Sequence, residues 1–593
     1  MKQFLLTVAG VFVGLALFMI GVPILLFVLA AGATRPAPTP ARTVLALDLR
    51  DTLTDQEPPD GLALFSPRGV SVMGVEDALR RAAGDDHVRG LFVRLPDGGM
   101  APAAADELRL AFKRFRASGK PIIAYSQGLY PQGVVTSTYE LAAASGNVWM
   151  QPAASFQVTG IASQDLFFKR LFDKYSVKAD FQQRYEYKNA VNGYLYDDYT
   201  PAHREAELSW LGSVYDTALA AAAADRKQPA AALRATLEAG PYSAEQARAK
   251  GLIDQVGEEK DAEQAILKAA GDGAKLMAFS DYARRGQDGM PALGDGATVA
   301  LIQAEGDIVT GTSAHGTPFG GGQTIYSDDV ADAFYRAIED KDVKAIVFRV
   351  SSPGGSDTAS EQILSAVRAA KAAGKPVVVS MGTYGASGGY WISSQASEIV
   401  AEPSTLTGSI GVFGGKFALG DALGHFGVDV RGLKVGGDYA DAFGAEAPMN
   451  PTQRAAFAAW MDRIYAGFVG RVAVGRKLPA PRVQQIARGR VWTGVQAKQL
   501  GLVDEVGGFA LAVDRAKALA GISGPARLKP FATQTSPFGA LGRLFGAESD
   551  GARILATAGE LARDPQARAV LGELHDAQLR QQGATVLAPR LLP

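Results

Sequence analysis

A serine framed by glycines is the residue of this chain best placed to do covalent chemistry. Ser387 sits in Gly385-Ala386-Ser387-Gly388-Gly389. An apolar run from Pro376 to Met381, which predicts a strand, precedes it, and a helix-like run from Tyr390 to Ser397 follows. A serine at a helix N-terminus lies beside backbone N–H groups that have no partner in the helix. Those donors can hold the oxyanion that forms when the hydroxyl attacks a carbonyl. The glycines let a substrate backbone come close. The same pattern also describes a plain serine N-cap in a tight turn. In a chain with 68 glycines it is weak by itself.

A nucleophilic serine needs a base. Cysteine is absent, which removes thiol catalysis, disulfides and thiolate metal sites. The histidines are His87, His203, His315, His425 and His575, and none lies three to five residues from another. The paired-histidine spacing of a metal site is therefore missing, and no metal or cofactor is expected. An α/β-hydrolase would order its triad as Ser, then Asp or Glu, then His, and the histidines after Ser387 serve that order poorly. What remains is a Ser–Lys dyad, in which burial lowers the lysine pKa because desolvation disfavours the ammonium form. The chain has many lysines, and residue chemistry alone does not choose among them.

The elements around Ser387 belong to a duplication. Thr43-Val44-Leu45-Ala46-Leu47 and Thr298-Val299-Ala300-Leu301-Ile302 open two stretches at an offset of 255. Leu91-Phe92-Val93-Arg94 falls over Ile346-Val347-Phe348-Arg349, and Gly119-Lys120-Pro121 over Gly374-Lys375-Pro376. Later, Gly251-Leu252-Ile253-Asp254 matches Gly501-Leu502-Val503-Asp504 at an offset of 250. A repeat this long means two copies of one domain. At offset 255, Ser387 lies over Gln132, and the turn Ser352-Pro353-Gly354-Gly355 over Asp97-Gly98-Gly99-Met100. The first copy thus lacks the serine apparatus.

Within each copy, short apolar strands alternate with helical patterns. In the second copy the pattern predicts a helix over Val330–Glu339, a strand over Ala345–Val350 and a helix from about Ser360 to Ala373. This alternation argues for βαβ units and an α/β fold with a largely parallel sheet. Longer helical stretches are expected over Tyr215–Ala239 and Pro451–Leu478. Residues 524–593 lie beyond the repeat and carry amphipathic helical patterns near Ile554–Ala562 and Val570–Leu579.

The N-terminus has no charged residue from Phe4 to Ala33, longer than the ~20 residues needed to span a bilayer. A transmembrane anchor is expected over residues 1–33, followed by a proline-rich linker over 34–42. Net charge is −1, with no basic stripe, so nucleic acid is not an expected partner.

The motif Gly385-Ala386-Ser387-Gly388-Gly389-Tyr390-Trp391-Ile392-Ser393, with Pro403-Ser404-Thr405-Leu406-Thr407-Gly408-Ser409-Ile410-Gly411-Val412-Phe413-Gly414, resembles peptidase family S49. More particularly it resembles the long, duplicated, membrane-anchored bacterial signal peptide peptidases of that family. The resemblance implies two caseinolytic-protease/crotonase-like domains of ββα spiral, over 43–290 and 296–523. It implies a lysine base contributed by the first copy, here Lys188 in Tyr187-Lys188-Asn189-Ala190, with Ser387 as nucleophile. At offset 252 Lys188 lies over Ala440, so each copy keeps one half of a dyad; Lys434 is the nearest competing lysine. Asn189 and Asn192-Gly193 depart from the family pattern around the lysine. Ser409 resembles a serine that hydrogen-bonds the lysine amine. The oxyanion donors are expected to be the N–H groups of Gly388 and Gly355, with Gly354 as the alternate.

The resemblance further implies an endopeptidase acting on remnant signal peptides in the bacterial inner membrane. Its catalytic domains would face the periplasm in a homotetramer. Two other classes remain compatible with the residues, a crotonase-type acyl-CoA enzyme and an inactive membrane scaffold.

Overall fold

A computed structural model of the chain describes residues 40–50, 53–56, 71–285, 297–313, 323–524, 526–533 and 586–587. The expected anchor, most of the linker and the two tail helices lie outside the described residues. No helix among the described residues is long and apolar enough to cross a membrane.

The first repeat is built on six parallel strands. They are β1 (Thr43–Asp48), β2 (Val88–Arg94), β3 (Ile122–Ser126), β4 (Val148–Met150), β6 (Gln255–Val256) and β7 (Lys275–Ala278), in the order β6-β4-β3-β2-β1-β7. β5 (Lys178–Arg184) stands outside this sheet. In the second repeat β8 (Thr298–Glu305), β9 (Asp307–Val309), β10 (Thr324–Tyr326), β11 (Val343–Ser352), β12 (Gly354–Gly355), β13 (Val377–Ala386) and β14 (Glu398–Ala401) follow one another. After them come β15 (Leu406–Gly408), β16 (Val412–Ala418), β17 (Val491–Thr493), β18 (Glu505–Val506) and β19 (Arg527–Phe531). The pairings β18-β14-β13-β11-β8-β19 reproduce the first sheet strand for strand.

The correspondence reaches single residues. Both repeats shift register after their first pair, Thr43 opposite Val88 and Thr298 opposite Val343. Lys120 donates to the carbonyls of Ala82, Ala83 and Asp85, and Lys375 to those of Ala337, Ile338 and Asp340. The repeated Gly-Lys-Pro is therefore a cap on helix α1 (Val72–Gly84) and on its counterpart α6 (Ser327–Glu339), where cations favour the open carbonyls. β11 is buried almost throughout, as expected of a parallel strand covered on both faces.

Helices α2 (Pro102–Ala117), α3 (Val135–Ser145), α4 (Pro201–Asp225) and α5 (Glu259–Ala270) complete the first repeat's main helices. In the second, α7 (Asp357–Ala372), α8 (Gly388–Ser393), α9 (Pro451–Arg476) and α10 (Phe509–Leu519) do so. The long helix expected over Tyr215–Ala239 begins earlier, at Pro201, and stops at Asp225 before a separate helix, Ala230–Glu238. Pro229 accounts for the break, since it has no N–H and disfavours helical backbone at the residue before it. The boundary drawn at 523 is also short. β19 pairs with β8 as β7 pairs with β1, so the second sheet extends to Phe531. Its Lys-Pro sequence hides an edge strand, where proline is tolerated.

Among the many contacts that join the repeats, a strand ribbon and a buried arginine reach furthest into the fold. β5 of the first runs antiparallel to β16 of the second, from Lys178 opposite Ala418 to Arg184 opposite Val412. Phe172, Phe181, Tyr194 and Phe417 pack around this ribbon, with ring centroids 5.0–6.0 Å apart. Elsewhere Arg349, fully buried, crosses to the first repeat. Its Nε donates to Asp55 Oδ2 at 2.9 Å and its Nη2 to Glu107 Oε2 at 2.6 Å, while Nη1 reaches Ser380 Oγ at 2.9 Å.

Candidate active site

The turn between β13 and α8 places Ser387 as the N-cap of a short helix, with φ 54° and ψ −116°. A non-glycine residue in that region costs on the order of 1–3 kcal/mol, and such strain collects at functional sites. The backbone holds it there: the Ser387 N–H donates to Gly408 O at 2.9 Å, and Thr407 Oγ1 donates to Gly385 O at 2.7 Å.

Lys188 arrives from the other repeat. It follows β5, so the β5–β16 ribbon carries it to the residues just before Val412. Lys188 Nζ lies 2.8 Å from Ser387 Oγ, 3.0 Å from Ser409 Oγ and 3.1 Å from Ser409 O. All three residues are fully buried. Burial holds the Lys188 amine well below the usual lysine range. A neutral amine has two N–H donors and one lone pair. The carbonyl and hydroxyl of Ser409 can accept the two donors, leaving the lone pair for the Ser387 hydroxyl. Lys434, the competing lysine, instead donates to Asp438 and Asp441 at 3.1 Å.

The segment Arg488–Arg490 clamps the lysine loop and was not singled out in the sequence. Arg488 pairs in bidentate fashion with Glu186 at 2.8 Å, and the guanidinium of Arg490 sits 5.0 Å from the Tyr187 ring. Gly489 lies between them with φ +84°, and a Cβ there would fall 2.5 Å from Lys188 Cβ. Only glycine permits this approach. The departures after the lysine pair with each other: buried Asn192 donates to Asn189 Oδ1 at 3.2 Å.

Of the two alternates for the second oxyanion donor, the geometry favours Gly355. The Gly354 N–H already donates to Ser352 Oγ at 3.2 Å. Ser356 N–H donates to Ile308 O, on the β9 side, so strand alternation turns the Gly355 N–H to the opposite edge. Gly388 is adjacent: a Cβ on it would lie 3.0 Å from Gly355 N. A Cβ on Gly355 would lie 2.0 Å from Ile308 O, so this strand position too requires glycine.

The counterpart of Ser387 in the first repeat is not Gln132. Tyr139 donates its hydroxyl to Leu252 O, and Tyr390 donates to Leu502 O. Val148 N–H bonds Asp254, as Ile399 N–H bonds Asp504. These matched contacts set the local offset at 251 and bring Thr136 over Ser387. The first repeat has four extra residues before α3, so the constant offset of 255 does not hold across this turn. The added loop also closes its own turn, with Tyr130 N–H on Asp97 O and Gly99 N–H on Gln132 O.

One group among the described residues has the donor chemistry for a cation: Asp165, His203 and Glu207. A search for paired histidines passes over it, because its helical i, i+4 pair is His203 with Glu207. None of the three is hydrogen-bonded to Lys188.

Residues 114–271 and 369–523 both match peptidase family S49. Protease 4 of Salmonella typhi is 34% identical over 505 residues, covering 81% of this chain and 79% of that protein. The chloroplastic serine protease SPPA of Arabidopsis thaliana is 27% identical over 489 residues, covering 81% and 69%. A putative signal peptide peptidase SppA of Enterococcus faecium is 32% identical over 179 residues, covering 30% of this chain and 52% of that protein. With both repeats matched and a relative this similar over most of its length, the chain belongs to peptidase family S49 and is a serine peptidase.

Proposed function

We propose that the chain is a Ser–Lys dyad endopeptidase with one active site per chain, assembled across its duplication. The observation that carries this reading is the 2.8 Å approach of Lys188 Nζ to Ser387 Oγ between residues 199 apart in sequence. Neutral Lys188 takes the Ser387 proton as Oγ attacks the scissile carbonyl. The N–H groups of Gly388 and Gly355 receive the oxyanion, and Ser409 keeps the amine oriented. The lysine then gives its proton to the leaving amine. After an acyl-enzyme forms, the same amine deprotonates water and the cycle closes.

An extended peptide would add as a strand to the Gly354–Gly355 edge, with main-chain bonds giving affinity and side-chain pockets selecting small or apolar residues. The substrates we propose are remnant signal peptides. The apolar N-terminal run, an expected anchor, and the name of the Enterococcus relative support this reading. The same reading sets the catalytic repeats on the periplasmic face of a bacterial inner membrane, as a homotetramer, with peptide as the only substrate class and no cofactor.

A serine-directed fluorophosphonate probe tests the dyad. The wild-type chain should label at Ser387. Ser387→Ala should abolish labelling, and Lys188→Ala should slow it by at least ~10²-fold. Labelling that persists in Ser387→Ala would overturn the assignment.

A further inference from the structure

Asp165, His203 and Glu207 bring three side chains to one point from two segments that the dyad chemistry does not use. Helix α4 supplies two of them, since His203 and Glu207 stand four residues apart and share a face. Asp165 comes from the irregular segment that leads to Phe168. His203 is only 5% exposed and packs against Tyr199, with ring centroids 4.8 Å apart. Its Nδ1 is buried without a hydrogen-bond partner. Its Nε2 is aimed at the two carboxylates, 3.5 Å from Asp165 Oδ2 and 3.7 Å from Glu207 Oε1. Both separations exceed an ordinary hydrogen bond. They match the ligand atoms of a divalent cation instead, because tetrahedral bonds of about 2.1 Å set neighbouring ligands about 3.4 Å apart. Glu207 is oriented for this role: its Oε2 accepts from Trp210 Nε1 at 2.8 Å, which leaves Oε1 turned to His203. The protonation states also suit ligation. Burial holds the His203 imidazole below its usual range, so it is neutral near pH 7, the form that binds metal. Burial, and then the charge of Asp165, push the Glu207 carboxyl up to about 7, a cost that a bound cation would reverse.

We propose that Asp165, His203 and Glu207 form a structural site for a divalent transition-metal cation, with Zn2+ the best match and water as a further ligand. One imidazole beside two carboxylates favours Zn2+, Co2+ or Ni2+ over Mg2+ and Ca2+, which take all-oxygen surroundings. The two carboxylates balance the charge of the ion, and the exposed Asp165 gives it a way in. The cation ties the Asp165 segment to α4. That segment is already bonded to the stretch that follows Lys188, through the Phe168 N–H and Gly193 O at 2.6 Å. On its other side α4 carries Trp210, which packs with Leu406 of β15 and Val491 of β17. The ion therefore braces the first repeat where it meets the second, and takes no part in the chemistry at Ser387. The site stands on its own ligands and does not depend on the dyad reading.

The test uses the full-length protein, freed of metal by chelation and titrated with Zn2+ by calorimetry. Wild type should bind Zn2+, Asp165→Asn should weaken that binding at least ~10-fold, and His203→Phe should abolish it. Asp165 is exposed, so its substitution keeps the test valid if the buried His203 variant fails to fold. Zn2+ should also slow amide exchange of the peptide covering Ile161–Phe168 about 10-fold in wild type and less in Asp165→Asn at the same concentration. Equal Zn2+ affinity in wild type and Asp165→Asn, or no binding by wild type, would overturn the site. Ca2+ binding as tight as Zn2+ would overturn the transition-metal assignment. Exchange that bound Zn2+ leaves unchanged would overturn the tie between the segment and α4.

Discussion

At the scale of single residues, the dyad we propose turns on keeping one amine uncharged. Unfolded, Lys188 would hold its proton up to about 10.5; in the folded chain burial makes it release the proton well below that. Only the neutral amine can accept the Ser387 proton. We therefore expect kcat/KM to fall as pH drops through the folded pKa of Lys188, and to be level above it. A profile that keeps rising toward 10.5 would show a lysine that is not desolvated. The same shift sets a stability slope. Between the folded pKa and 10.5 the unfolded chain binds the extra proton, so stability rises with pH by about 1.4 kcal/mol per unit. Lys188→Met removes that slope. It should be inactive yet unfold at a higher temperature than wild type at pH 7, with the difference shrinking as pH approaches 10. Ser409→Ala tests the orienting role. It should lower kcat about 10-fold with little change in KM, because the amine keeps one acceptor, the Ser409 carbonyl, out of two.

At the scale of elements, the site is held by a ribbon and a clamp. Gly489 is the tightest point of the clamp. Gly489→Ala would put a methyl group 2.5 Å from Lys188 Cβ at a backbone angle that disfavours side chains, so the lysine loop must shift. A displacement of about 1 Å at a reacting group can cost 10²-fold. We expect kcat and fluorophosphonate labelling to fall together by that order, while the unfolding temperature changes by only a few degrees. Unchanged kcat would mean that the loop absorbs the methyl group without moving the amine. How much of this was legible in sequence differs between the two halves of the dyad. Ser387 announces itself, because its partners are local: the strand before it, the helix after it and the glycines between. Lys188 has no local signature. It became visible only through the family resemblance, and the contacts that position it come from residues hundreds of positions away, which no pattern of periodicity records. Gly489 and Arg488 escaped notice for the same reason. The alignment of Ser387 with Gln132 failed because a four-residue insertion is silent in sequence until matched hydrogen bonds, such as those of Tyr139 and Tyr390, fix the frame.

At the scale of the whole molecule, duplication gives two cores but, in the dyad we propose, a single catalytic centre, so activity would depend on how the repeats are held together. The two-sheet α/β plan was readable from the alternation of apolar strands and helices, since each repeat folds by its own periodicity. The joint between them was not, because a buried arginine and its carboxylates look like ordinary charged residues in sequence. Arg349 reaches across to Asp55, 294 residues away, and to Glu107. A buried ion network of this kind adds little net stability over an apolar replacement of all its members, but removing one partner leaves the others buried and unpaired. Arg349→Met should therefore weaken the joint by about 3–5 kcal/mol. The expected signature is specific to an inter-repeat role: fluorophosphonate labelling of Ser387 should be lost on heating well before the far-UV signal of the two sheets melts. Adding Asp55→Asn and Glu107→Gln to Arg349→Met should restore part of the loss at neutral pH. If labelling and secondary structure instead disappear at one temperature in every variant, the repeats unfold as a single cooperative unit, and the joint is no weaker than the cores it connects.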